Sequence, residues 1–250
     1  LGGADDVLTM YRTAWEGHLR QYTLAKTVEV PLARDGMYYK EFPVMFDWQH
    51  NGEGLRLFNL QGLSDPGNNN YRQRVRRYAG FYMNEDPGAP NYDPQHRIFR
   101  CPIQSSVGPL RHASLDNAIG WLQGGRKTGE GYQYYGVRAT LRPVVENLEP
   151  DWFENPERRD EILKLFDEIV LKGDVPHSLG STALMTNAYL YTGEDKYRQW
   201  VLDYTEGWME RMQRNNGIMP DNVGLTGQIG ENRQGQWWGG LYGWNSFVGH

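Results

Sequence analysis

The stretch YRQRVRRYAGFYM at residues 71–83 is repeated in fixed register as YRQWVLDYTEGWM at residues 197–209. Large apolar or aromatic side chains fall at positions 71, 75, 78 and 82 of the first copy and at the equivalent positions of the second. Spacings of four, three and four place these side chains on one face of an α-helix. The repeat therefore predicts two equivalent helices, each with the same buried stripe.

Each copy follows a turn and another segment with helical character. Residues 55–63 precede the turn SDPGNNN in the first copy, and residues 183–191 precede TGEDK in the second. A helix, a short turn and a second helix form a helical hairpin. We therefore interpret the hairpin as the repeating unit of the fold.

Two further helices are predicted outside the repeat. Residues 6–22 carry an apolar side chain at every third or fourth position, which indicates an amphipathic helix. Asn155-Pro156 begins a second helix, whose apolar stripe runs to a stop at Gly173.

The remaining stretches lack a helical period. Residues 28–44, 84–110 and 218–229 are rich in Pro or Gly and predict irregular structure. Residues 113–122 are compatible with a short helix, and residues 123–147 with a loop or a hairpin. Long irregular loops are therefore expected between the helices.

The composition favours a soluble protein that displays aromatic groups. The 250 residues include 9 Trp, 16 Tyr and 30 Gly, and no apolar run approaches the roughly 18 residues that a membrane-spanning helix needs. A formal net charge of -5 gives no electrostatic footprint for nucleic acid. The basic run at residues 72–77 lies opposite the apolar stripe and is interpreted as a solvated face. We expect neither a membrane nor nucleic acid as a partner.

The single cysteine, Cys101, excludes an internal disulfide and a cysteine-rich metal site. The six histidines show neither HxH nor HExxH spacing, so we expect no metal and no other cofactor. The sequence starts at Leu1 and ends at His250 within a Trp- and Gly-rich stretch. We interpret it as part of a longer polypeptide. The start at Leu1 fits either removal of a signal peptide or trimming of the chain, and we expect a periplasmic or secreted location.

Residues 37–53, MYYKEFPVMFDWQHNGE, concentrate groups that can transfer protons or contact a ligand. The segment lacks a helical period, and function is often carried on such loops. We interpret it as one wall of an active site; a solvated loop with a half-buried aromatic cluster is the competing interpretation. Its candidate residues are Tyr38, Tyr39, Lys40, Asp47, Trp48, His50 and Glu53.

A second candidate segment, WWGGLYGW at residues 237–244, places small residues beside large rings. This pattern lets the backbone and the ring faces approach a ligand closely. Stacking on sugar rings and packing in the core are equally good interpretations. The side chains concerned are Trp237, Trp238, Tyr242 and Trp244.

Three segments resemble the six-hairpin, or (α/α)-toroid, superfamily of carbohydrate-active enzymes: LYTGEDKYRQWVLDYTEGW at residues 190–208, its copy at residues 63–82, and residues 237–244. The resemblance implies an all-α toroid, with residues 1–250 forming either the single domain or its N-terminal part, and a substrate funnel lined by loops and aromatic rings. Glycoside hydrolases, polysaccharide lyases and some small-molecule dehydratases share this architecture, so the fold does not select the reaction. The predicted hairpins are too few to close the ring. Helices hidden in the irregular stretches, the rest of a longer polypeptide or a second chain would complete it.

Elimination at an acidic sugar needs a base for the proton beside the carboxyl group, an acid for the leaving oxygen and a cation for the carboxylate. The tyrosines and histidine of residues 37–53 supply proton-transfer groups, and Lys40 or Arg111 supplies the cation. His177 precedes the second hairpin at the place that His50 occupies before the first, so both would face the mouth of a toroid. The competing interpretation is that each histidine caps the following helix.

Hydrolysis would instead need two carboxylates about 5–10 Å apart. Asp65, in Ser-Asp-Pro-Gly, fits a turn residue better, and Asp116 fits a helix cap equally well. The candidates are Glu41, Asp47, Glu53, Asp65, Asp116 and Asp221. We therefore expect an enzyme that cleaves an oligo- or polysaccharide, with elimination ahead of hydrolysis. A non-catalytic carbohydrate-binding helical domain is the third interpretation.

Overall fold

The computed structural model describes residues 4–24, 60, 62–104, 108–109, 127–128, 131–132, 151–240 and 243. Helices dominate this part of the chain, which confirms the mainly helical fold class; a closed toroid stays a prediction. The α-helices described are α1 (Asp5–Leu24), α2 (Asn69–Tyr82), α3 (Pro156–Ile169), α4 (Thr182–Thr192) and α5 (Asp195–Arg214).

Short strands form two antiparallel hairpins within the described residues. Strand β1 (Tyr92–Asp93) pairs with β2 (Ile98–Phe99), and β3 (Lys127–Thr128) pairs with β4 (Gly131–Tyr132). The second hairpin is one of the two structures predicted for residues 123–147. The first lies where the sequence predicts only irregular structure, because strands of two residues are too short to show alternation.

The repeated stripe is buried, as predicted, at every position but one. Its buried members are Tyr71, Val75, Tyr78 and Tyr82 on α2 and Tyr197, Tyr204 and Trp208 on α5. The remaining position, Val201, is partly exposed. Each of these helices therefore packs through the face that the repeat predicts.

The two helices and the turn predicted for the second copy are present in the structure. Helix α4 ends where Gly193 adopts a left-handed φ of 68°, and the Gly193 N–H donates to the Tyr189 carbonyl at 2.9 Å. Glycine favours this conformation because it has no side chain to clash. Helix α5 then begins at Asp195. In the first copy, residues 60 and 62–64 are helical and the rest of the predicted segment lies outside the described residues.

Helix α3 begins as the Asn155-Pro156 signal predicts. The Asn155 side chain accepts hydrogen bonds from the N–H groups of Glu157 and Arg158 at 3.0 and 3.1 Å. The helix ends at Ile169, four residues before the predicted stop at Gly173. Gly173 is required for a different reason, since a Cβ there would lie 1.9 Å from the Val223 carbonyl oxygen.

The described residues divide into two compact units. The first contains α1, α2, α4 and the start of α5; the second contains both β-hairpins, α3, the rest of α5 and the segment that follows it. None of the described helices combines the length and apolar character needed to cross a bilayer.

In the first unit, α2 packs against α4 through a buried polar contact. The Asn187 side-chain amide donates to the Tyr71 hydroxyl at 3.0 Å, and the Tyr191 ring meets the Tyr71 ring edge-on at 5.1 Å. Asn187 and Tyr71 are both buried, so each supplies the hydrogen bond that the other needs.

The basic run and one candidate carboxylate contribute ion pairs to the same unit. Arg76 and Arg77 are exposed, as predicted for a solvated face, whereas Arg74 donates to the Glu16 carboxylate on α1 at 2.6 Å. Asp65 accepts from the Asn68 amide at 2.8 Å and pairs with Arg12. Asp65 is therefore a turn residue, as its sequence context favours.

Candidate functional site

The segment after α5 folds back on itself in the second unit. Asn216 and Gly217 adopt left-handed φ values of 57° and 79° and end the helical path, as Asn-Gly predicts. Val223 then forms isolated β-bridges with Asp174 and with Ile229. Residues 218–240 are therefore held by backbone hydrogen bonds although they contain little regular structure.

Asp221 fixes the glycine pair that follows the two tryptophans. Its carboxylate is 2% exposed and accepts hydrogen bonds from the N–H groups of Gly239 and Gly240 at 2.8 and 2.7 Å. A Cβ on Gly240 would lie 1.9 Å from the Asp221 carbonyl oxygen, and one on Gly243 would lie 2.2 Å from its carboxylate. The small residues of the segment are therefore needed so that the backbone can approach Asp221.

Trp237 and Trp238 project from this fixed backbone and remain partly exposed. The Trp237 carbonyl accepts from the Asp221 N–H at 2.9 Å, and the Trp238 carbonyl accepts from the Gln236 side chain at 2.8 Å. The Asn222 side chain in turn donates to the Gln236 carbonyl at 3.0 Å. The structure thus holds two partly exposed tryptophans on a backbone that is fixed by several hydrogen bonds.

Asp174 is a buried carboxylate with several hydrogen-bond donors. It is 1% exposed, and it accepts from the N–H groups of Phe99 and Val175, both at 2.8 Å, and from the Tyr204 hydroxyl at 2.9 Å. Burial raises the pKa of Asp174 to about 6, against the opposing effect of these donors and of Ser178. Asp174 therefore connects the β1–β2 hairpin, α5 and the chain before α4 through hydrogen bonds.

Aromatic rings surround this carboxylate. The Tyr204 ring meets Phe99 edge-on at 5.3 Å and Tyr92 at 5.9 Å. Burial also raises the pKa of Tyr204 well above 10, so its hydroxyl stays protonated and can donate to Asp174. Cys101 lies on the same β-hairpin side, 1% exposed, and its sulfur accepts from the Ile103 N–H at 3.3 Å.

A cavity of about 10 Å³ adjoins Asp174, with polar lining from Asn222, Asn232 and Arg233. This volume holds about one water molecule, which is far too little for a sugar ring. Burial lowers the pKa of Arg233 to about 10, while the charge of Asp221 opposes that shift. Trp237 and Trp238, in contrast, are partly exposed.

One protein-family model, described as Domain of unknown function (DUF8034), matches residues 1–249. The chain belongs to that family. Neither a curated protein nor a solved structure matches this DUF8034 chain.

Three predicted site residues of the DUF8034 chain are described. Trp237 and Trp238 are consecutive residues of the segment held by Asp221, and His177 lies partly exposed in the 3-10 helix Pro176–Ser181. The other candidates lie outside the described residues: Tyr38, Tyr39, Lys40, Asp47, Trp48, His50, Glu53, Arg111, Tyr242 and Trp244. The hydrolase candidates Glu41 and Asp116 also lie outside them.

The sequence did not indicate that Asp174 lies at the centre of a network of hydrogen bonds. It lies between Gly173 and Val175 at the end of an apolar stripe, where an acidic residue is usually part of a turn. Its partners, Phe99 and Tyr204, are distant in the chain, so no local pattern indicates them. Within the part of the chain that the structure describes, no three His, Cys, Asp or Glu side chains are arranged to hold a metal ion.

Proposed function

We propose that this chain is a carbohydrate-active enzyme that cleaves an oligo- or polysaccharide, with Trp237 and Trp238 binding sugar rings. The observation that carries the proposal is the pair of partly exposed indoles on a backbone held by Asp221, Asn222 and Gln236. Large aromatic side chains in a soluble protein mostly contribute to the core or to binding surfaces.

A sugar ring suits this surface because its C–H faces are apolar while its edges carry hydroxyl groups. An indole offers a flat apolar face and one N–H donor, so it can cover such a ring and still meet a hydroxyl group. The fixed backbone also lowers the entropy that binding would otherwise cost. These properties favour a sugar over a purely apolar ligand.

The reaction that we propose is elimination at an acidic sugar, within an (α/α) toroid to which the helical hairpins belong. The repeated hairpin supports the toroid, and the proton-transfer groups predicted at residues 37–53 and at His177 support the elimination. Hydrolysis by a carboxylate pair and binding without cleavage are the alternatives that the experiment separates.

The decisive experiment incubates the purified protein with a panel of acidic polysaccharides and follows two signals. Elimination creates a conjugated double bond that absorbs ultraviolet light, together with new reducing ends. Reducing ends without that absorbance would replace elimination with hydrolysis, and binding without either signal would reduce the chain to a binding domain. A protein that neither binds nor cleaves any polysaccharide would refute the proposal.

The substitutions Trp237→Ala and Trp238→Ala test the sugar-binding surface itself. Each should weaken polysaccharide binding by about tenfold, which corresponds to about 1.4 kcal/mol, because a stacking ring is lost. Leu225→Ala is the matched control, since it removes an exposed apolar side chain from the same segment without touching the indoles. Equal affinities for all three variants and the wild type would contradict a role for the tryptophans in binding.

A further inference from the structure

The β1–β2 hairpin carries a histidine whose ring is oriented by a carboxylate. The His96 Nδ1 and Asp93 Oδ2 atoms lie 2.8 Å apart, and Asp93 also accepts from the Gln95 N–H at 2.9 Å. With Asp93 ionised, this contact places the proton on Nδ1 and leaves the lone pair on Nε2. No residue in the described ranges bonds to Nε2, and the His96 side chain is 30% exposed.

The charge on Asp93 favours this arrangement. Burial acts to raise the pKa of Asp93, but hydrogen bonds from the His96 ring and from the Gln95 and His96 N–H groups outweigh it. The pKa of Asp93 therefore lies below its ordinary value, and the carboxylate is ionised at neutral pH.

Helix α5 holds the hairpin tip in place. Arg211, 3% exposed, donates to the carbonyl groups of His96 and Arg97. Arg97 adopts a left-handed φ of 53°, and its guanidinium pairs with Glu206 and Glu210 on the same helix. The tip is therefore fixed through both its backbone and a side chain, so the imidazole has little freedom to turn away from Asp93.

The segment that carries the tryptophans passes beside the His96 side chain. A Cβ added to Gly227 would lie 3.4 Å from the His96 Cβ atom and 3.5 Å from its Cδ2 atom. Gly227 and the indoles of Trp237 and Trp238 belong to one continuous segment of the second unit. The oriented imidazole therefore lies next to the segment that carries the proposed sugar-binding rings.

We propose that His96, positioned by Asp93, is the base of the cleavage reaction; this inference rests on the proposed function. Nε2 takes the proton from the carbon beside the sugar's carboxyl group. The electron pair of the broken C–H bond forms the double bond to the neighbouring carbon, whose bond to the glycosidic oxygen breaks. That oxygen takes the proton back from the imidazolium and leaves as a hydroxyl group. Proton transfer of this kind contributes about 10²–10⁴-fold to a rate.

The test compares steady-state kinetics of three variants on a polysaccharide that the wild type cleaves. His96→Gln should lower kcat at least about 100-fold with little change in KM, because it removes the base but not the sugar-binding rings. Asp93→Asn should lower kcat at least about tenfold, because an amide donor at this position favours the tautomer with its proton on Nε2. Leu225→Ala, which alters an exposed side chain outside the hairpin, should leave kcat unchanged.

The pH profile distinguishes a base from a structural residue. Charged groups around His96 are Asp93 and Arg97 on the hairpin and Arg211, Glu206 and Glu210 on α5. The acidic limb of the kcat profile should disappear in His96→Gln, and urea unfolding should show that the variant is folded. Wild-type kcat in His96→Gln would overturn the inference while the proposed function stands. Cleavage without a double bond, or no cleavage by the wild type, would overturn both the elimination and this role.

Discussion

Replacing Asp174 with asparagine removes a charge from the core of the second unit while keeping the size of the side chain. In the wild type, burial raises the pKa of Asp174 from an ordinary 3.8 to about 6. The folded state therefore binds this proton more tightly than the unfolded state does. The contribution of Asp174 to stability is greatest below pH 3.8, falls as the pH rises towards 6, and is constant above that.

The size of this change in stability with pH follows from the shift in the pKa of Asp174. Moving the pKa from 3.8 to about 6 corresponds to about 3 kcal/mol between the acid and neutral limits. Asparagine is uncharged, so it avoids that cost at neutral pH. It keeps only one acceptor oxygen, however. Its NH₂ group then faces either the Val175 N–H or the two donors of Phe99 and Tyr204. An unsatisfied buried donor costs about 1–3 kcal/mol. At pH 7 the avoided cost of burying the charge nearly cancels the cost of the unsatisfied donor. In acid, where Asp174 is protonated, only the cost of the unsatisfied donor remains.

Urea unfolding of the wild type and of Asp174→Asn, from about pH 4 to about pH 7, measures the difference in their free energies of unfolding directly. The variant should be less stable than the wild type by about 1–3 kcal/mol at the acid end. Its relative stability should then improve by about 2–3 kcal/mol as the pH rises. Groups such as Glu16 and Asp93, whose pKa values are lowered, titrate in both proteins and cancel in the difference.

Two outcomes would refute this reasoning. A stability difference that stays constant with pH would mean that burial does not raise the pKa of Asp174. A difference that moves the other way would mean that the donors around the carboxylate outweigh its burial. Asp160→Asn serves as the control, because its exposed carboxylate should change stability by less than about 0.5 kcal/mol.

Two further predictions concern close contacts. Gly240→Ala should destabilise the protein by more than about 2 kcal/mol in urea unfolding, because the new Cβ would lie 1.9 Å from the Asp221 carbonyl oxygen and the backbone would have to move. Tyr71→Phe should cost about 1–2 kcal/mol by the same measurement, because the buried Asn187 amide loses its hydrogen-bond partner.

Matched substitutions separate these contacts from general effects. Gly67→Ala places a Cβ where no heavy atom lies within 4 Å, so a loss as large as that of Gly240→Ala would contradict the contact argument. Tyr191→Phe removes a hydroxyl with no partner among the described residues from a ring that touches Tyr71. Equal losses for Tyr71→Phe and Tyr191→Phe would show that the bond to Asn187 is unimportant.

The sequence predicted the helices best where a large side chain recurred at helical spacing. The stripe of Tyr71 and its equivalents appears twice in the chain; both copies are helical and are buried at every position except Val201. Helix α3 is predicted equally well because Asn155-Pro156 marks its start by local chemistry. Periodicity and caps are local signals, so one sequence suffices to find them.

The contacts of the candidate site could not be predicted in the same way. Asp221 was one of several possible catalytic carboxylates, and only the fold shows that it holds Gly239 and Gly240. The pairing of Asp93 with His96 was missed because the flanking strands have two residues each and leave no periodic pattern. For Trp237 and Trp238 the sequence left core packing and exposure equally open, and the structure leaves both rings partly exposed.

The burial of Cys101 gives the native protein an internal reporter. It is the chain's only cysteine and is 1% exposed, so an aqueous thiol reagent reaches its sulfur only while the surrounding structure is transiently open. Every labelled molecule carries one adduct at one known position, and intact-mass spectrometry can count them over time. The labelling rate therefore measures how often the structure around Cys101 opens transiently, without a dye or an engineered probe.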